Sequence, residues 1–365
     1  VKERSYIFLD EITSVLNWPK IIKFLSDRGL FQNSSVFLSG SNALDLKKGG
    51  ERLPGRRGKG QDINLLPINF RAYLKIVDPV LFADLADFEF NLNFFKPEQW
   101  YRQAGQVFNL KNKIEHYFSF YLFSGGYPYL INEFLETKQI SFATYELYSN
   151  WLKGDIAKVK IDDKKGMFLL GEIANSLNSK FGFDTLAKKI SNISYHTIEH
   201  YVNLMESLYI LKILHHSDLG NRSLNFRKAK KIYFLDSLPY FLSLAFKKRW
   251  ANYFSEINKF LFMPDQKSGL IEQIVFNHLC YFEKDWFLPN LSYWSNHGEI
   301  DFIWLAGDDF LPIEVKYQSK VGMRDFKAMA GHDFKNGLIL SRNDLEKKGN
   351  FLILPASIFL SLLGD

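Results

Sequence analysis

The stretch "GEIDFIWLAGDDFLPIEVKY", Gly298 to Tyr317, carries the most decisive pattern in the chain. Both arms alternate with the period of two expected of strands, around a central Ala306-Gly307-Asp308-Asp309 turn. Pairing Leu305 with Phe310 sets Asp301 opposite Glu314 and Glu299 opposite Lys316. Side chains two apart on a strand share a face, so these charges gather at one end of one face. The other face carries Ile300, Phe302, Trp304, Leu311, Ile313 and Val315, a surface suited to a core. Like charges facing each other across a strand pair destabilise it. Holding Asp301 against Glu314 therefore requires a cation, solvent or a different register.

Working outward, a chain of 365 residues suggests two or three domains, since single cores stop growing near about 250–300 residues. With 47% hydrophobic and 24% charged residues, the composition is that of a globular protein. The net charge of +6 permits an anionic partner without demanding one, because the excess is spread over several loops. The single cysteine, Cys280, excludes an internal disulfide and fits a reducing compartment. Its apolar helical surroundings predict a buried, inert thiol. No apolar run reaches the ~18 residues of a membrane span, and no signal peptide opens the chain, so cytoplasm is the expected location.

The N-terminal part reads as alternating strands and helices. "YIFLDEI" (Tyr6 to Ile12) and "SVFLSGSN" (Ser35 to Asn42) are apolar runs separated by a helical stretch, the pattern of a buried parallel sheet. The first run ends in Asp10-Glu11, and the second in small polar residues. Ligands bind at the carboxyl ends of such strands. There, one carboxylate can hold the water shell of Mg²⁺ while the next activates water.

From Asp78 to Trp151 the pattern is mostly helical and Phe-rich, broken by "SGGYPYL". Helices follow, one of them placing Ile198, Tyr201, Val202, Met205, Leu208 and Tyr209 on one side. "YILKIL" and "KKIYFLD" then read as two strands joined by a polar segment, a winged-helix pattern. In that segment His215 and His216 are expected in a loop, and the basic "FRKAKK" offers phosphate contacts. "HTIEH" (His196 to His200) matches a zinc-peptidase spacing. Its histidines lie opposite the apolar stripe, where a recognition helix would meet DNA.

The ordered set "FLDEI", "FLSGSNALDL", "LPGRRG", "LLPINFRAYL", "GGYP", "SYHTIEHYVNLMESLYI", "KKIYFLD", "GLIEQIVFNHL", "YWSNHGEIDF" and "IEVKY" resembles the AAA-type ATPases of bacteria and archaea that carry a C-terminal domain of unknown function. The resemblance implies an α/β protein. It consists of an incomplete P-loop NTPase-like parallel sheet (1–75), a helical extension (76–150), a winged helix (151–245) and a PD-(D/E)XK nuclease-like α/β domain (246–365).

It further implies Asp10 as the metal-side acid and Glu11 as the catalytic glutamate. Ser41 or Asn42 takes the sensor position, and Arg56 contacts phosphate across a subunit boundary. ATP and Mg²⁺ are the implied cofactors, DNA or RNA the implied partner, and a homo-oligomer or a protein partner the implied assembly. The phosphate-binding loop of such ATPases should stand on an earlier strand, yet only nine residues precede Asp10. "GERLPGRR" has Arg where Lys belongs and no preceding strand, so it does not serve. The natural protein is therefore expected to continue upstream of Val1, and ATP to bind tightly only with that segment.

In the nuclease-like domain, Glu272, Asp301 and Glu314 would bind Mg²⁺, Lys316 would stabilise the transition state and Gln318 would orient water. A metal ion between Asp301 and Glu314 would resolve their repulsion. A plain cross-strand pair of Glu299 with Lys316 is the simpler alternative. Two other functional readings compete with a nuclease-bearing ATPase. One is a nucleotide-dependent regulator or scaffold with a non-cleaving nuclease fold; the other is a non-catalytic DNA-binding regulator.

Overall fold

The computed structural model describes residues 4–41, 46–47, 49–50, 60–159, 161–190, 193–283, 289–296, 298–306, 309–318, 320–331 and 334–364. It is a mixed α/β structure. Strands β1 (Ser5–Leu9) and β2 (Ser34–Leu38) pair in parallel, Ser5 with Ser34 through Leu9 with Leu38, and α1 (Trp18–Asp27) lies between them in sequence. Ile12, Trp18 and Ile22 form a small core there with Leu9, Phe31 and Leu38.

The parallel pairing matches the sequence reading; the burial does not. Tyr6 and Phe8 are 61% and 71% exposed, and Phe37 stacks on Phe8 with ring centroids 4.8 Å apart. A strand becomes buried on both faces only if something covers both. Among the described residues, the face bearing these rings is left uncovered.

Six helices fill the Phe-rich middle: α2 (Phe70–Val77), α3 (Pro79–Leu85), α4 (Pro97–Gln106), α5 (Lys111–Ser124), α6 (Pro128–Thr137) and α7 (Phe142–Lys158). Three of the six, α3, α4 and α6, open with proline, where the missing N–H costs nothing. The motifs "LLPINF", "GGYP" and "KKIYFLD" meet at one point. Asp236 accepts hydrogen bonds from the N–H groups of Gly126 (2.8 Å) and Leu238 (2.8 Å). Gly126 packs so closely on Ile68 that a Cβ there would stand 2.3 Å from its carbonyl oxygen. Glycine at 126 is thus required by close backbone approach.

Next come α8 (Asp163–Asn175), α9 (Phe183–Lys189) and α10 (Tyr195–Ser207). Ser194 caps α10 by accepting from the Thr197 N–H at 3.1 Å, and Ile198, Val202 and Met205 are buried as the stripe predicts. Strands β3 (Leu211–Leu214) and β6 (Lys231–Phe234) pair antiparallel. The segment between them is not a free loop: β4 (His216–Asp218) and β5 (Ser223–Asn225) form a hairpin that joins the C-terminal sheet. His216 is consequently a buried strand residue, correcting its expected loop position.

The remaining elements are α11 (Ser237–Lys248), α12 (Tyr253–Phe262), α13 (Pro264–Leu279), β7 (Leu291–Ser295), β8 (Glu299–Ala306), β9 (Asp309–Lys316), α14 (Lys327–Ala330), β10 (Gly337–Ser341), β11 (Glu346–Lys348), β12 (Phe351–Pro355) and α15 (Ala356–Leu362). Eight strands order as β11-β12-β10-β9-β8-β7-β4-β5. The β8–β9 register is the one read from sequence, with Leu305 facing Phe310 and Phe302 facing Ile313.

Both faces of this sheet are covered. Phe302, Trp304, Leu311, Ile313 and Val315 join a core that runs from Phe70 to Leu363. On the other side Ile303 packs with Ile339, Ile353 and Phe326. Ile300 belongs to this second cluster rather than to the first, because the β7–β8 register shifts between Ser292 and Trp294.

Candidate functional site

Two places gather the residues singled out above. The first is at the carboxyl ends of β1 and β2. Backbone bonds from Ser39 N–H to the Leu9 carbonyl (3.0 Å) and from Ile12 N–H to the Ser39 carbonyl (2.9 Å) extend the pairing past both strands. Asp10 accepts a bond from the Ser39 hydroxyl. Glu11 takes a left-handed backbone, φ 48° and ψ 39°, which costs a non-glycine residue about 1–2 kcal/mol. Its Oε2 is met by the amide (3.4 Å) and hydroxyl (3.3 Å) of Ser41. Both carboxylates are exposed and stand where a ligand can approach. Asn42 and Arg56 lie outside the described residues.

The second place lies between β6, α13 and β8. Strand β6 alternates, so Lys231 and Tyr233 share a face that points at Glu272 of α13 and Asp301 of β8. The Lys231 side chain is 1% exposed, and its Nζ lies 2.7 Å from Glu299 Oε1, 3.0 Å from Asp301 Oδ1 and 3.2 Å from Glu272 Oε1. The Tyr233 hydroxyl donates to the same Glu272 oxygen at 2.5 Å. Asp301 spends its second oxygen on the Val315 N–H at 3.0 Å. Lys180 reaches the outer oxygen of Glu299 at 2.9 Å.

The charges are unequal in environment. Burial opposes the charge on Lys231, but the surrounding Tyr233, Asp301, Glu272 and Glu299 hold its pKa well above the ordinary range. Burial and the nearby Asp301 charge push Glu272 up to about 8, against the pull of Lys231. Burial works on Glu299 in the same sense, yet Lys231 and Lys180 keep it below the usual carboxylate range.

Glu314 stands at the side of this network, next to Asp301. Its Oε2 is buried without a hydrogen-bond partner, and burial together with Asp301 raises its pKa to about 9. Its neutral form is thereby favoured, which would relieve the repulsion with Asp301.

Residues 1–74 match the family described as AAA domain. Residues 267–359 match a domain of unknown function (DUF4143), and residues 115–239 match another (DUF8612). The first two matches support an AAA-type ATPase family. A curated relative, the uncharacterized protein MJ1544 of Methanocaldococcus jannaschii, is 23% identical over 328 residues, covering 87% of this chain and 62% of that protein. The chain therefore spans less than two thirds of that relative's length. No solved structure matches.

Within this AAA-type frame the predicted residues fall as follows. Asp10, Glu11 and Ser41 come together at the strand ends. Glu272 and Asp301 come together as well, but around Lys231. Lys316 turns to Asp325 at 3.4 Å, so the simple pair with Glu299 does not form; Glu299 goes to Lys231 and Lys180. Gln318 is exposed beyond β9.

Sequence reading missed Lys231, placing it in a basic run open to phosphate. Its signal was a lysine inside the apolar "KIYFL", which can be buried only with paired carboxylates. His196 and His200 are exposed on α10, and among the described residues no group of three His, Cys, Asp or Glu side chains could hold a metal ion. Nor, among them, is any helix long and apolar enough to cross a membrane. Cys280 is free and buried, its thiol pushed up by burial.

Proposed function

We propose that the protein binds and hydrolyses ATP through its AAA-type N-terminal part and uses the remainder as a nucleotide-regulated docking scaffold. The observation that carries the reading is the strand-end arrangement, in which Asp10 meets Ser39 and Glu11 meets Ser41 across two parallel strands. Asp10 and the Ser39 hydroxyl would hold the water shell of Mg²⁺, which would offset charge on the phosphates. Glu11, exposed and aimed by its left-handed backbone, would take the proton of the attacking water. Ser41 would orient Glu11 from the neighbouring strand end.

The test is ATP hydrolysis by the full natural protein. Glu11→Gln should lower turnover about a hundredfold while nucleotide binding persists. Equal turnover in variant and parent would remove Glu11 from this role.

Metal-dependent cleavage by Glu272, Asp301, Glu314 and Lys316 has less support, because an ammonium already stands among the carboxylates. Labelled DNA incubated with Mg²⁺ or Mn²⁺ should stay intact. Cleavage lost in Asp301→Asn would restore that reading. Association with nucleic acid is supported by the exposed face of α10 with His196 and His200. Such binding should weaken steeply with added salt.

A further inference from the structure

We infer that Lys231 is a built-in cation standing in place of a divalent metal at the Glu272–Glu299–Asp301 cluster. The inference stands apart from the ATPase reading and rests on donor and acceptor matching. An ammonium has three N–H donors. Lys231 has three carboxylates around it, at 2.7, 3.0 and 3.2 Å, one from each of Glu299, Asp301 and Glu272. These are separations for N–H···O bonds, whereas Mg²⁺ requires oxygens at about 2.0–2.1 Å in near-octahedral order.

The surrounding groups agree. Asp301 Oδ2 accepts from the Val315 amide and Glu272 Oε1 is shared with the Tyr233 hydroxyl, so these two oxygens already have hydrogen donors besides Lys231. The ammonium also has no other place to go. Its side chain is 1% exposed and lies 5.9 Å from the centre of the Tyr293 ring, whose hydroxyl is bonded to the Ala229 carbonyl. A divalent ion entering beside it would meet a second positive charge at close range in a poorly solvated site. The fold that implies a metal thus carries its cation on a side chain. It arrives from the strand that follows the β4–β5 hairpin rather than from solvent.

The test is Mn²⁺ binding to the metal-stripped protein, followed by electron paramagnetic resonance and by calorimetry. The wild-type protein should take up no Mn²⁺ that Asp301→Asn abolishes. Lys231→Ala should gain a Mn²⁺ site and a Mn²⁺-dependent rise in melting temperature, both lost when Asp301→Asn is added. Lys231→Arg, which keeps the charge, should remain blind to Mn²⁺. Stoichiometric uptake by the wild-type protein, abolished by Asp301→Asn, would overturn the inference. So would a Lys231→Ala protein with native near-ultraviolet dichroism that binds no Mn²⁺. Should Lys231→Ala fail to fold, the wild-type titration decides alone.

Discussion

Lys231 Nζ lies 3.0 Å from Asp301 Oδ1, although 70 positions of sequence separate them. The contact joins a strand that leaves the helical middle of the chain to the hairpin that centres the C-terminal sheet. Because both groups are buried, the pair is maintained only while each keeps its other partners.

Replacing Lys231 by Met preserves length and apolar stem but leaves Glu272, Glu299 and Asp301 facing one another. Removing one side of a buried ionic cluster costs about 3–5 kcal/mol. Urea denaturation of Lys231→Met should show a loss of that size, with the slope of the transition unchanged.

Glu314 gives a pH signature. Its pKa is raised from 4.5 to about 9 in the folded chain, so between those values the folded form binds more protons than the unfolded one. Its contribution to stability therefore falls as pH rises through that window. Glu314→Gln should be harmless at pH 6 and should lessen the loss of stability on going to pH 9, read as urea midpoints at both values.

His278 runs the other way. Its Nε2 accepts the Phe70 N–H at 2.7 Å while Nδ1 donates to the Ile274 carbonyl at 2.7 Å. Burial lowers its pKa from 6.5 to about 4, so the folded form binds fewer protons within that window. The stability it confers is full above pH 6.5 and is lost as pH falls toward 4. His278→Leu leaves the Phe70 amide unpaired and should cost about 1–3 kcal/mol at pH 7. Its acid unfolding curve should also be flatter between pH 6.5 and 4.

Gly125 holds φ +58°, and a Cβ there would lie 2.0 Å from Asp236 Oδ1. Gly125→Ala should lower stability by at least about 1–3 kcal/mol through backbone strain alone. Thermal melts of Gly125→Ala and of Gly105→Ala, where a Cβ meets open space, provide the comparison.

What the sequence made legible was local. The β8–β9 register followed from alternation around a short turn, because a one-residue slip would exchange Phe302 and Trp304 with Asp301 and Ile303. The α10 stripe followed from spacing, and the parallel β1–β2 pair from two apolar runs across a helix. The exposure of Tyr6 and Phe8 was not legible, since it depends on what lies over the sheet and not on the strands themselves. The acids of the candidate site were legible as types in a pattern. Their counter-ion was not, because nothing local ties Lys231 to Asp301. The hairpin 216–225 hid for the same reason: its partner, β7, lies far along the chain.

That hairpin has a mechanical consequence. Its flanking strands β3 and β6 belong to one sheet while it is stitched to β7 of another, through the His216–Tyr293 bridge. A displacement of the helices before β3 cannot be absorbed as a loose swing. Moving the hairpin would strain the ladder that runs from β4 through β7 to β8, the strand that carries Asp301.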